Sequence, residues 1–323
     1  MAAQDVTLGV DIGGTNTVFG FVLETGTCVA ESSIPTQSGD PAERLISRLH
    51  ERIDELYRPL AGRYIMKGIG VGAPNANYYR GTVESPPNLK WGPVTNLAAL
   101  FKKYYDVPVA VTNDANAAAL GEMLYGAAKG MKDFIVITLG TGVGSGIVAG
   151  GDLIYGADGF AGEIGHTIYD PHGRECGCGR RGCLEAYASA SGICKTVLEL
   201  LADRREESEL RAIAPQDLTP KIIAGAAGRG DPIAKEAFEV TGRILGLKLA
   251  DSVAHTSPEA IILFGGIANA GALIFEPTKR YLEANLLNIF KNKVKLLPSG
   301  LKEGNTAVLG ASALIWNELR KKK

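Results

Sequence analysis

Short apolar runs rich in β-branched residues recur at residues 8–10, 19–22, 67–71, 109–112 and 134–139. Each ends in a turn signal, as buried strands do. Helical periodicity fills the gaps at 41–56, 96–105 and 115–128. Beyond residue 184 the pattern turns mostly helical, with apolar stripes over 184–202, 219–227 and 231–253. A further strand is predicted at 260–264, followed by helices near 272–289 and 306–319, the last preceded by Gly304 and Asn305. Strands alternating with helices predict an α/β fold with largely parallel sheets.

One pattern occurs twice. Leu8-Gly9-Val10-Asp11-Ile12-Gly13-Gly14-Thr15 and Ile137-Thr138-Leu139-Gly140-Thr141-Gly142-Val143-Gly144 both run from a strand into a glycine turn. Each then enters another apolar strand, at 18–22 and 146–149. This predicts two β-hairpins with glycine-rich tips, whose backbone N–H groups suit a phosphate chain. Neither tip is a P-loop, because no Gly-Lys-Ser/Thr follows the glycines. Gly68 to Ala73 and Gly144 to Ala149 formally fit a dinucleotide pattern, but one runs into Pro74 and the other continues as strand. Neither opens the helix a pyrophosphate needs, so a dehydrogenase is a poor reading.

Composition narrows the function further. A chain of 323 residues accommodates two domains of ordinary size. A formal net charge of −1 argues against nucleic-acid or membrane-surface partners, and the single basic run, Arg320 to Lys323, reads as a solvated helix end. No apolar stretch approaches a membrane span, and no basic segment followed by an apolar run marks the chain for export. The expected compartment is the cytoplasm, where five cysteines would not form a disulfide framework.

Candidate chemistry concentrates between Gly162 and Glu185. Gly-Glu-Ile-Gly-His is followed, after a short loop, by Cys-Gly-Cys-Gly-Arg-Arg-Gly-Cys-Leu-Glu. His166, Cys176, Cys178 and Cys183 supply the four ligands of a tetrahedral, structural zinc site. Glu163 and Glu185 flank it. Cys28 and Cys194 stand apart and read as small apolar residues. In the first hairpin, Asp11 ends a strand before Gly13, Gly14, Thr15 and Asn16. Asn113-Asp114 closes the strand at 109–112 just before a helix, where an N-cap is one reading and a catalytic carboxylate another. Gly265-Gly266 follows the strand at 260–264 as a third close-approach turn.

Together these motifs resemble the ROK family (repressors, open reading frames and sugar kinases), within the actin-like and hexokinase-like ATPase group. The resemblance runs nearly end to end, from Asp11-Ile12-Gly13-Gly14-Thr15 through Asn113-Asp114, the turn at 139–144, Glu163-x-Gly165-His166, the cysteines and Leu184-Glu185 to Gly265-Gly266. It implies two actin-like (hexokinase/Hsp70-type ATPase) α/β domains with a cleft between them. The smaller would hold residues 1–117 plus about 305–323, and the larger 118–304 with the zinc segment. By the same resemblance, Gly14, Thr15, Thr141 and Gly142 would cradle the phosphates of ATP, with Gly13, Asn16 and Gly140 in the same turns. Gly265 and Gly266 would lie near adenosine, and Asp11 would act on the Mg²⁺ side.

A sugar would be held by Asn113, Asp114, Glu163, His166 and Glu185, with His166 serving zinc through one ring nitrogen and sugar through the other. The stretch from Gly72-Ala73-Pro74-Asn75 to Pro87-Asn88 would form the other sugar wall, which makes Asn75 and Asn88 candidates although its wording departs from the commoner family form. The expected activity is transfer of the γ-phosphate of ATP to the 6-hydroxyl of a hexose, with Asp114 as general base. The segment Cys183 to Gly192 resembles the glucokinase members, so glucose is the expected substrate; N-acetylhexosamines, allose and fructose are the alternatives. Repressor members carry an N-terminal helix-turn-helix module, for which the phosphate turn at Asp11 leaves no expected room. A non-catalytic sugar sensor is the rival of a different class. The family resemblance implies a homodimer or homotetramer.

Overall fold

The structure is a computed structural model that describes residues 3–301 and 306–321. The turn at Gly304 and Asn305 and the end of the basic run at Lys322 and Lys323 lie outside the described residues. In chain order the elements are β1 (Gln4–Ile12), β2 (Asn16–Leu23), β3 (Cys28–Pro35), α1 (Ala42–Tyr57) and β4 (Tyr64–Gly72). Then come β5 (Ala76–Asn77), β6 (Thr82–Glu84), β7 (Val94–Thr95), α2 (Leu97–Lys102), β8 (Val109–Thr112) and α3 (Asp114–Tyr125). The chain continues with β9 (Phe134–Leu139), β10 (Val143–Ala149), β11 (Asp152–Leu153), α4 (Glu185–Ala188), α5 (Ala190–Asp203) and α6 (Pro220–Gly228). It closes with α7 (Pro232–Thr256), β12 (Ala260–Phe264), α8 (Ala272–Asn285), β13 (Lys295–Pro298) and α9 (Thr306–Lys321).

Two compact units emerge. The first gathers Met1–Met131, Leu153–Ala161 and Ser299–Lys323, and the second Lys132–Asp152 with Gly162–Pro298. The division therefore falls at Met131, beyond the helix that carries residue 117, and the excursion Leu153–Ala161 returns to the first unit.

The first unit is built on a sheet of order β3-β2-β1-β4-β8. β1, β2 and β3 pair antiparallel, whereas β1, β4 and β8 run parallel. The second sheet, β11-β10-β9-β12-β13, repeats the plan: β9 and β10 form an antiparallel hairpin, and β9, β12 and β13 run parallel. The twice-occurring strand–glycine–strand pattern is thus a hairpin at the same place in each unit. Fully buried Val6, Leu8, Val10, Ile69 and Val71 join the apolar stripe Leu45, Ile46, Leu49 and Ile53 of α1 in one core. Ile135, Ile137, Ile261 and Leu263 anchor the other core against α7.

Where the structure departs from the periodicity, local chemistry explains it. The stripe at 184–202 is two helices, because Ser189 is extended and its side chain accepts from Gly192 N, capping α5. The helices expected at 96–105, 115–128 and 272–289 end earlier, at Lys102, Tyr125 and Asn285. The edge strand β3, half polar on its exposed positions, and the very short β5, β6 and β7 carry too little apolar signal to register.

The C-terminal helix α9 lies on β1 and β4 at backbone distance. A Cβ placed on Gly9 would stand 2.9 Å from Ser312 N, and one on Gly70 would collide with the Ala311 carbonyl. A buried hydrogen bond between the Thr7 and Ser312 hydroxyls, 2.7 Å long, fixes the register of helix on strand. A Gly70→Ala variant forces backbone apart from backbone and is expected to lose about 1–3 kcal/mol. Its melting temperature by circular dichroism should fall by several degrees, while Gly39→Ala, where a Cβ meets nothing within 4 Å, should melt like wild type.

Candidate active site

In the first unit the parallel strands β1, β4 and β8 end side by side, where α/β folds place their chemistry. Asp11 projects from the end of β1 beside Gly72, the last residue of β4: a Cβ on Gly72 would lie 3.1 Å from Asp11 Oδ1 and 3.9 Å from Asp114 Cα. Gly72 therefore lets two aspartates approach one spot. Asp114 opens α3. Asn113 is its N-cap, accepting from Asn116 N at 2.7 Å, and Asp114 Oδ1 accepts from Ala115 N at 2.9 Å. The N-cap is Asn113, which leaves the neighbouring aspartate exposed at the helix N-terminus.

The electrostatics mark the pair. Limited hydration, and then repulsion from Asp114, raise Asp11 from 3.8 to about 7. Solvent reaches Asp114, yet the surrounding protein raises its carboxyl as well, against the lowering effect of the backbone N–H groups.

The glycine turn between β1 and β2 closes by Gly13 N donating to Asn16 O at 3.0 Å, with Thr15 and Asn16 exposed. Thr36, fully buried, braces it from behind: its hydroxyl donates to Gly13 O at 2.7 Å, and its N–H donates to Thr15 O at 2.8 Å. Gly14 packs on Asn88, whose Cβ would be 3.2 Å from a methyl there. Asn88 therefore lies beside this glycine turn. Asn75 is exposed in a left-handed conformation, and its amide donates to Ser85 O at 3.1 Å, holding the wall between β5 and β6. The buried Asn77, invisible to motif reading, donates to Asp158 O at 2.6 Å and ties that wall to Leu153–Ala161.

In the second unit, β9 and β12 end together in Gly140–Gly142 and Gly265–Gly266. The glycines there have different reasons. Gly265 has a positive φ of 104° and lies against Leu139 O, and a Cβ on Gly142 would be 2.5 Å from Glu185 Oε2. Both are demanded by the protein itself. At Gly140 and Gly266 a Cβ would meet nothing, so those positions are open, as is the exposed Thr141.

His166, Cys176, Cys178 and Cys183 present ligand atoms all within 4.8 Å of one another. Cys178 and Cys183 sulfurs are 3.6 Å apart, and Cys176 Sγ is 3.7 Å from His166 Nδ1. A tetrahedron with zinc–sulfur bonds of about 2.3 Å has edges of about 3.8 Å, so the donor set fits zinc. Nδ1 faces the cluster, which leaves Nε2 of His166 for another partner. Burial pushes Cys176 up to about 12. At Cys178 burial is outweighed by hydrogen bonds, from Arg180 first, which lower it to about 6.

Arg180 also donates to His166 O at 2.8 Å, so its charge faces a cluster whose zinc form would be negative. Arg174 clasps the loop onto α4 and α5, bonding Ala186 O and Gly192 O and lying 4.6 Å over the Tyr187 ring. Glu185 touches both features of this unit: Oε2 accepts from Val143 N at 3.0 Å, and Oε1 lies 3.6 Å from Cys176 Sγ. Glu163 precedes the short 3-10 turn Ile164–His166, which the buried Ser145 hydroxyl pins by donating to Gly162 O and accepting from Ile164 N at 3.1 Å. Among the described residues, no helix is long and apolar enough to cross a membrane.

Two sheets of this shared topology, with glycine turns at the carboxyl ends of their parallel strands, define the hexokinase-type, actin-like ATPase fold. Residues 7–318 match the ROK family, and the chain belongs to it. A glucokinase of Halalkalibacterium halodurans is 36% identical over 288 residues, 87% of this chain and 86% of that one. A ROK family glucokinase of Streptomyces griseus, solved in complex with glucose and AMPPNP, superposes with a TM-score of 0.80 at 32% identity. That match covers 96% of this chain and 98% of the other. A xylose repressor of Caldicellulosiruptor bescii is 29% identical, over 97% of this chain and 78% of the repressor.

Two expectations follow. Purified protein should carry stoichiometric zinc by elemental analysis and release it as pH falls, because protons compete for the thiolates; Cys183→Ser should lose both the metal and several degrees of melting temperature. Asp11 makes the second. Its folded value lies above its unfolded one, so between about pH 4 and 7 the folded state binds more protons and stability falls as pH rises. In magnesium-free buffer, the melting temperature of Asp11→Asn should gain on wild type from pH 5 to 8. A gap that ignores pH would contradict the raised carboxyl.

Proposed function

We propose that this chain is an ATP-dependent hexose kinase that phosphorylates the 6-hydroxyl of glucose. The observation that carries the reading is the exposed Asp114 carboxylate at the mouth of α3, paired with Asp11 across Gly72. A general base for an alcohol must keep its proton affinity high and its lone pairs accessible, and Asp114 has both. The similarity to glucokinases, one of them bound to glucose and AMPPNP, supports glucose and ATP as the substrates.

In this mechanism Asn113, Asp114, Glu163, His166 and Glu185 bind the sugar, since carboxylates and amides pair well with vicinal hydroxyls. Asp114 takes the hydroxyl proton as the sugar oxygen forms its bond to the γ-phosphorus. The bond from that phosphorus to the bridging oxygen breaks, and its electron pair leaves with ADP. The turns at Gly13–Asn16 and Gly140–Gly142 present backbone N–H groups to the phosphates, and Gly265–Gly266 faces adenosine. Asp11 would face the magnesium carried with ATP, which would supply charge neutralisation. His166, Cys176, Cys178 and Cys183 would hold zinc, which would supply structure by ordering the loop that bears His166.

The similarity to xylose repressors favours a second reading, a sugar sensor without turnover. The two part in one assay. ADP formation with Mg-ATP is measured against glucose, mannose, fructose, allose, N-acetylglucosamine and N-acetylmannosamine. Glucose-selective turnover is expected; another preferred sugar keeps the mechanism and shifts the substrate, and no turnover in zinc-loaded protein selects the sensor. Asp114→Asn should cut kcat by about 10²-fold or more with sugar binding retained by calorimetry. Near-normal turnover would remove Asp114 from its role. The reading also carries a cytoplasmic location and a homodimer or homotetramer, the latter open to light scattering.

A further inference from the structure

Behind Asp114 the first unit holds a polar chain that neither glycine turn nor zinc loop requires. Thr112, the last residue of β8, is fully buried, and Asn116, in the first turn of α3, is 2% exposed. Asn116 Nδ2 donates to Thr112 Oγ1 at 3.2 Å. The bond links positions 112 and 116 and so spans the Asn113–Asp114 corner. Thr112 in turn faces the phenolic oxygen of Tyr155 with its hydroxyl. Tyr155 is 9% exposed and stacks on Tyr78 with ring centroids 3.9 Å apart and planes 6° from parallel. Tyr78 directly follows β5, in the wall between Asn75 and Asn88.

This arrangement is a poor way to gain stability. The neighbours of Asn116 along α3 are buried alanines, and its Oδ1 is buried with no partner among the described residues. An unsatisfied buried acceptor is costly, and an apolar pair of like volume would avoid that cost. A helix capped by Asn113 does not need a second amide to start. What the amide adds is a fixed distance between the strand end and the first turn of the helix, the two supports of the Asp114 backbone.

We infer that Thr112 and Asn116, buttressed by Tyr155, are positioning residues that hold Asp114 in register with the sugar wall. The inference rests on the kinase reading given above. The chain Asn116–Thr112–Tyr155–Tyr78 joins the base to the surface against which the sugar would lie. Acting through Asp114, it should govern the rate of the chemical step and leave sugar affinity nearly unchanged.

The test compares wild type with Thr112→Val, Thr112→Ser, Tyr155→Phe and the double variant Thr112→Val/Asn116→Leu, reading kcat, sugar KM and melting temperature. Thr112→Val strands the Asn116 amide and should lose both stability and rate. The double variant removes both partners and should regain the melting temperature while kcat stays about ten- to hundredfold low, with sugar KM within about threefold of wild type. Thr112→Ser keeps the hydroxyl and should keep the rate; Tyr155→Phe should lower kcat by a smaller factor. Recovery of kcat together with melting temperature in the double variant overturns the inference, as does a Thr112→Ser variant as slow as Thr112→Val. An unchanged kcat in Tyr155→Phe removes Tyr155 from the brace. Wild-type protein inactive toward every sugar overturns the kinase reading and this inference with it, whereas active wild type with an equally active double variant overturns this inference alone.

Discussion

Backbone contact between α9 and the β1–β4 pair is the constraint on which the first unit rests. Helix and sheet ordinarily keep the distance their side chains impose. Here Gly9 and Gly70 remove the side chains on one surface, and Gly310 lets the same helix approach Ala117 of α3, 2.7 Å from where a Cβ would stand to the Ala117 carbonyl. α9 is thereby wedged between the sheet and the helix that begins with Asp114. The strand ends bearing Asp11 and Gly72 and the helix start bearing Asp114 share one rigid support. Two carboxylates that repel each other can stay together only if something else fixes their backbones.

The second unit solves a similar problem with polar side chains in place of glycines. The loop from Gly162 to Leu184 has little apolar content, and its order comes from Ser145, Arg174, the bond from Arg180 to His166 O, and the four-donor cluster. Glu185 then connects that cluster to the turn after β9. One carboxylate accordingly serves a loop built around a cluster of cysteines and histidine and a turn built from open backbone.

Much of this was legible in the residues, and the limits are instructive. The repeated strand–glycine–strand pattern revealed both hairpins because buried strands and tight turns leave a local signature. The Cys and His spacing pointed to the four-residue cluster because coordination geometry restricts which residues can serve. The glycines carry more than a motif tells: Gly142 and Gly265 also answer to Glu185 and to Leu139 O, contacts between residues far apart in sequence. Thr36, Ser145, Arg174 and Asn116 carried no signal at all. Each acts through a hydrogen bond to a partner set by tertiary folding, and a lone threonine or asparagine looks the same whether it braces a turn or faces water. Asn113-Asp114 was visible as a pair, while the proximity of Asp11 to Asp114 appeared only when β1, β4 and β8 ended side by side.

The discontinuous make-up of the first unit has a consequence for synthesis. Its sheet is complete once residue 112 has been made, but the glycine surfaces of β1 and β4 remain bare until α9 follows some two hundred residues later. The second unit is drawn from one stretch of chain interrupted only at Leu153–Ala161. As the chain leaves the ribosome, the later-encoded unit can close its core before the earlier one. The first unit must wait with an apolar face exposed, and its aspartate pair takes its final form only when the last helix docks. Assembly of the aspartate corner is thus a terminal event in the birth of the protein, and a chain truncated before α9 would be left with its second unit formed and its first unfinished.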